Sequence, residues 1–256
     1  MNAVVAVARY ALLEARRSRL LWLAAAFLLA GFVLAEFVTE VALTEVSAFQ
    51  SSLFSAVLRL SAVFILSLYV ATSMVREFND KVHELVLAAE VPRWSYFCGK
   101  LLGYCVVAVI VAALYGVALL LYVPPGAAAI WAVSLACELA IMVSACLLAL
   151  FTFGQVTAAL STVFGFYLLA RSIAAIQLMS DSPLLASSSM AQQALRMMVD
   201  GVAFALPELH RFTSSDWLTR ADGATLSVLL PVLGQTAIYL PLLGAAALFD
   251  LYRRNL

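Results

Sequence analysis

The chain has 256 residues, 65% of them hydrophobic and only 12% charged, with a mean hydropathy of +1.03. Soluble domains carry about 25% charged residues, so a soluble enzyme or binding module is excluded and an all-α polytopic membrane protein is the class that remains. The formal net charge is zero, so orientation and partners must be read from where the charges sit.

Residues 1–19 place Arg9, Arg16, Arg17 and Arg19 among Val4, Val7, Tyr10, Leu12 and Leu13. This pattern predicts a basic amphipathic helix at the membrane surface. A cleaved signal peptide is the competing reading. The apolar run 20–38 suits a span better than a signal core of roughly 7–15 residues, so retention is expected. Span one is therefore 20–38, with Glu36 near its far end, and Glu40 and Glu45 stand in the short connection that follows. Span two covers 53–75 and carries Arg59. A charged loop at 76–96 leads to span three at 97–122, which closes on Tyr122 and the turn residues Pro124, Pro125 and Gly126. Span four covers 127–151 and contains Glu138. Phe153, Gly154 and Gln155 make a tight connection into span five, 156–178, with Arg171 and Gln177. A second polar region fills 179–223, span six covers 224–249, and Arg253 and Arg254 follow it. The whole of 1–256 reads as one transmembrane domain.

Six spans put both termini on one side, and the basic residues choose the side. The N-terminal segment, the 76–96 region with Lys100, and the tail hold ten Lys and Arg; the opposite connections hold Arg196, Arg211 and Arg220. The positive-inside rule places the termini and the charged loop in the cytoplasm. The outer region 179–223 carries its own helical signal: Ser187, Ser188 and Ser189 offer an N-cap, and Leu195, Met198 and Val202 repeat at helical spacing. Pro207 breaks that helix, and a second short piece with Phe212, Trp217 and Leu218 is expected before span six.

The charged loop is the most informative stretch. Phe78, Val82, Leu85 and Ala89 recur at three- and four-residue spacing, on one face of a short helix, with Glu77, Asp80, Lys81 and Glu84 on the others. Pro92 should end it. Trp94, Tyr96 and Phe97, bracketed by Arg93 and Lys100, suit a membrane–water boundary. Such a helix, slung between two spans, could receive a push from a soluble partner; a plain solvated loop is the alternative.

Gly99 and Lys100 lack the serine or threonine and the preceding glycine of a phosphate loop. His83 and His210 fall on opposite sides of the membrane, and Cys98, Cys105, Cys137 and Cys146 have neither CxxC spacing nor a neighbouring histidine. No catalytic residue, metal site or cofactor of this chain is expected. Charged groups inside spans are costly and face protein or water. Here these are Arg59, Glu138 and Arg171, with Gln155 at the head of span five. They read either as a polar patch in a substrate pathway or dimer interface, or as a helix-joining pair of Glu138 with Arg171 or Arg59. Snorkelling of the two arginines is a third option. Gly99/Gly103 and Ser161/Gly165 are small-xxx-small pairs compatible with close helix contact.

The layout resembles the permease subunit of ABC exporters of the second type over nearly the full length. The residues that carry the resemblance are the amphipathic N-terminal helix, six spans, and a loop reading Glu77, Glu84-Leu85-Val86-Leu87, Val91-Pro92-Arg93, Tyr96 and Gly99-Lys100. In that family this loop is the coupling helix that docks on an ATPase subunit, which makes Glu77, Phe78, Lys81, Val82, Glu84 and Leu85 the candidate coupling residues. Lys81-Val82-His83 departs from the small residue that many members have there. The resemblance implies a bacterial inner-membrane homodimer of permeases, ATP and Mg held by the partner ATPase, and export of a hydrophobic or amphiphilic substrate. No nucleic-acid partner is expected. The branch that serves copper-enzyme and nitrous-oxide-reductase maturation is similar in size and layout. Two other functions compete: a mechanical transmitter that moves a periplasmic or membrane accessory protein without passing substrate, and a channel or carrier that needs no ATPase.

Overall fold

The computed structural model of the chain describes residues 3–41, 46–80, 92–180, 190–213 and 229–253, and these are helical with no strand among them. In chain order the helices are α1 (Ala3–Arg17), α2 (Leu20–Val41), α3 (Val46–Asn79), α4 (Arg93–Leu119), α5 (Pro125–Phe153), α6 (Val156–Ser180), α7 (Met190–Ala205) and α8 (Leu229–Arg253), with a 3₁₀ turn at Leu209–Thr213 between the last two. Six of them, α2 to α6 and α8, are long and apolar enough to cross a membrane. In hydrocarbon only a helix satisfies its backbone within one segment, so each apolar run becomes one helix.

The spans agree with the sequence reading to within a few residues, except the second. It runs from Val46 to Asn79 rather than 53 to 75. At 1.5 Å per residue α3 is about 51 Å long, well beyond a bilayer core of about 30 Å. Its final turn therefore reaches past the apolar zone and carries Arg76, Glu77 and Phe78 with it, so Glu77 and Phe78 belong to the end of span two rather than to a separate coupling helix.

The bundle has a centre and a periphery. The apolar windows of α5 and α3 are 72% and 67% buried and that of α4 is 50%, against 28% for α6 and 17% each for α2 and α8. Leu135, Leu139, Cys146 and Leu150 of α5 pack with Leu58, Ile65 and Leu66 of α3 and Tyr104, Val107 and Tyr115 of α4. α2 lies along α3, and α8 lies along α5.

α1 departs from a purely surface-lying helix: it is docked lengthwise on α4. The contact is made possible by Gly99 and Gly103. A methyl group on Gly99 would sit 2.7 Å from Val7 Cβ and 2.9 Å from the Val4 carbonyl, and one on Gly103 would sit 2.7 Å from Ala11 Cβ. The small-xxx-small pair thus receives Val7 and Ala11 directly against the α4 backbone. Tyr69 of α3 secures the joint by donating to the Ala11 carbonyl at 3.1 Å. Among the described residues the second pair has no such role, since a Gly165 methyl would meet nothing within 4 Å.

Two turns fix the far connections. Gly154 adopts φ 72°, a left-handed conformation open to glycine at little cost, and its N–H returns to the Leu150 carbonyl at 2.9 Å. Gln155 lies in this turn and is exposed, outside the intramembrane polar set to which it was assigned; a residue that starts a helix after a reversal stands at the end of the bundle. At the opposite end α7 stops at Ala205, before Pro207, as the break predicts. The following turn then drives Leu209 and Phe212 into the core, both 0% exposed, and Ser134 of α5 donates to the Phe212 carbonyl at 2.6 Å. The expected N-cap at Ser187–Ser189 and the piece holding Trp217 and Leu218 lie outside the described residues.

Candidate functional site

Two buried charge clusters sit at different depths, and the first is at the end of the bundle that carries α1. Glu77, on the last turn of α3, is 4% exposed. Lys100, on the second turn of α4, is 2% exposed and pairs with Glu77 Oε1. Tyr96 donates its hydroxyl to Glu77 Oε2 at 2.6 Å, so both carboxylate oxygens are engaged. Tyr96 and Lys100 are four residues apart and share a face of α4. On the other side Glu14 of α1 lies 3.9 Å from Lys100 and 3.6 Å from Arg76. The Lys100 ammonium also stands over the rings of Tyr10 and Tyr104, at 5.2 and 5.6 Å from their centroids. Burial first, and then the Glu77 and Glu14 carboxylates, raise the Tyr10 phenol above its ordinary value, so it meets Lys100 as a neutral ring.

This geometry corrects one expectation. The sequence reading puts Glu77 on a face of the loop helix away from its apolar side, among the candidate coupling residues. Glu77 is instead an internal anion whose two oxygens hold α4. The physical reason is register: Val70, Ser73, Met74 and Glu77 continue the core-facing stripe of α3. Phe78 is half-buried, with its ring 5.9 Å from Phe151. Lys81, Val82, Glu84 and Leu85 lie outside the described residues. The clue in the sequence was a pair of polar repeats, Ser73/Glu77 and Tyr96/Lys100, closing one span and opening the next.

The second cluster is deep in the bundle. Arg59 of α3 and Glu138 of α5 form an ion pair, with their side chains 2% and 0% exposed. The Arg59 guanidinium also covers the Trp131 ring at 5.1 Å. The helix-joining option is the arrangement seen, with Arg59 as the partner of Glu138. Arg171 instead approaches the Tyr167 hydroxyl at 3.4 Å. Arg59 Nη2 and Glu138 Oε1 make no hydrogen bond among the described residues.

At the end opposite α1, Tyr122 donates to Glu36 Oε1 at 2.7 Å. Burial, and then that hydrogen bond, raise the Tyr122 phenol above its ordinary value. Among the described residues no group of three His, Cys, Asp or Glu is placed to hold a metal. The arrangement is one of mechanical joints: α1, α3 and α4 are clamped together immediately beside the connection 81–91, and α3 carries that clamp to the Arg59–Glu138 pair.

The family model described as ABC-2 family transporter protein matches residues 36–204, well over half of the chain. No curated protein matches it.

Proposed function

The chain belongs to the ABC-2 family of transporter proteins, and on that footing we propose that this membrane permease subunit exports a hydrophobic or amphiphilic substrate on ATP hydrolysed by a separate ATPase chain. In this reading ATP and Mg reside on the partner, which docks on residues 81–90 from the cytoplasm of a bacterial cell. Both termini share that side, and two permease copies pair in the inner membrane. The carrying observation is the Glu77–Lys100–Tyr96 clamp with Glu14 beside it. A displacement of the connection 81–91 has α3 and α4 at its two ends, and the clamp makes those ends move as one body with α1. The exposed faces of α2 and α6 offer a second copy room to pack, and the open Gly165 position lies on one of them.

The test is purification of the tagged full-length chain in mild detergent from its native membrane, with ATP hydrolysis assayed. A stoichiometric soluble ATPase that is lost when residues 81–90 are replaced by a Gly-Ser linker supports the reading. An ATPase-free preparation that remains active in vesicles overturns it in favour of a channel or carrier.

The mechanical-transmitter reading has its own support at the far end. Met197, Met198 and Phe204 of α7 are 76%, 70% and 92% exposed, and Phe212 fills the core immediately after. An accessory protein bound to that apolar face would feel movement of the turn. Met198→Ser with Phe204→Ser should then release a co-purifying membrane partner and leave the ATPase bound; unchanged partner recovery removes this reading.

A further inference from the structure

Where α1 turns into α2, a groove of about 410 Å³ opens between the elbow and α3. Its rim is basic: Arg17 and Arg19 are exposed, and so is the Arg76 side chain. Its floor is apolar, made by Leu20 and Leu23 of α2 and Ile65 and Leu68 of α3. Ile65, Leu68, Tyr69, Thr72 and Arg76 follow one another at helical spacing, so one face of α3 lines the groove from floor to rim.

The polar groups between rim and floor already have partners. Ser18 Oγ donates to the Ala15 carbonyl at 2.7 Å and accepts from Leu20 N at 3.3 Å, Thr72 Oγ1 donates to the Leu68 carbonyl at 2.7 Å, and Tyr69 is committed to Ala11. The Arg17 and Arg19 guanidiniums do not. Among the described residues neither Arg17 nor Arg19 lies within ion-pair distance of a carboxylate, and Arg76 has only Glu14, at 3.6 Å, which Lys100 also approaches. The groove also sits at a defined depth, because Leu20 opens the apolar segment Leu20–Val38 and Arg19 directly precedes it. Its basic rim is therefore level with the headgroups and its floor with the acyl chains.

We propose that this elbow groove binds an anionic phospholipid of the surrounding leaflet, its phosphate held by Arg17, Arg19 and Arg76 and one acyl chain laid on Leu20, Leu23 and Leu68. Guanidinium forks match phosphate oxygens in pairs, and basic pockets between spans favour anionic headgroups. A soluble phosphate would use the rim and leave the apolar floor wet; a neutral lipid would use the floor and leave the surplus positive charge unmatched. A bound lipid would brace the α1–α2 elbow against α3, whichever transport reading holds.

The full-length protein is relipidated in nanodiscs of phosphatidylcholine and phosphatidylglycerol, extracted in neutral detergent, and the retained lipid is counted by native mass spectrometry. Phosphatidylglycerol should be retained in preference to phosphatidylcholine. Arg17→Gln with Arg19→Gln should reduce its retention at least about tenfold. Leu68→Trp, which fills the floor and keeps all three arginines, should reduce it comparably, while Arg253→Gln at the far end of α8 should not. Circular dichroism verifies folding, and if Leu68→Trp is unfolded the arginine pair decides alone. Equal retention of the two lipids, an equal loss in Arg253→Gln, full retention in the arginine pair, or displacement of the lipid by millimolar inorganic phosphate would each overturn the proposal.

Discussion

The two buried ion pairs are built from the same chemistry and finished differently. Glu77 has Lys100 on one oxygen and Tyr96 on the other, and it stands near the end of the bundle where α1 adds Glu14. Arg59 and Glu138 have each other and the face of Trp131, and among the described residues each keeps one polar atom without a hydrogen bond. A carboxylate with both oxygens engaged is a rigid joint, because a shift strains more than one bond at once. A charge with capacity to spare costs more to bury and tolerates rearrangement. The molecule thus places its stiff joint, the Glu77 carboxylate held through both oxygens, beside the connection 81–91, where Glu14 Oε2 alongside makes no hydrogen bond among the described residues, and its less fully engaged pair among the central helices, where a change of helix packing would be felt.

That contrast can be broken by substitution. The largest effect is expected deep in the bundle: Arg59→Ala or Glu138→Ala strands a buried charge and should cost about 3–5 kcal/mol in thermal unfolding in detergent. The apolar pair Arg59→Met with Glu138→Leu should recover most of that loss. Lys100→Met is expected to cost less, about 1.5–3 kcal/mol, because Tyr96 continues to donate to Glu77. If Lys100→Met proves the more damaging, the distinction between the two sites fails. Gly103→Val tests whether the stiff joint includes α1. The added methyl groups meet Ala11, and about 1–3 kcal/mol should be lost as α1 is levered away from α4, seen as new protease cleavage within residues 3–17. Gly154→Ala touches neither joint and should cost only about 1–2 kcal/mol, the strain of a left-handed alanine.

Much of this architecture could be read from the chain. The six spans followed from apolar runs, and several of their termini from Pro124, Pro125 and Gly154, because bilayer thickness and backbone hydrogen bonding leave a helix few alternatives. The polar interior was less legible. Local periodicity put Glu77 with the solvated Asp80, because the pattern starting at Phe78 was read without the preceding turn of α3. Gly99 and Gly103 were recognisable as a close-contact pair, but nothing local names α1 as the partner, since a small-residue stripe records how near a neighbour comes and not which neighbour. Arg59 had three possible roles and Glu138 two possible partners. Only the tertiary packing of α3 on α5 chose between them. The elbow groove was invisible for the same reason, because Arg17 and Arg76 are joined only by the folded course of α2.

The docking of α1 on α4 also sets a schedule for synthesis. Gly99 and Gly103 emerge about ninety residues after the helix they receive. At about 5–20 residues per second, a ribosome leaves α1 without its berth for about 5–20 s. During that interval its arginines and the apolar side chains of Val5, Tyr10 and Leu13, which remain exposed even in the finished bundle, suit it to wait on the lipid surface. The amphipathic character of α1 is then a provision for the nascent chain as well as for the mature one.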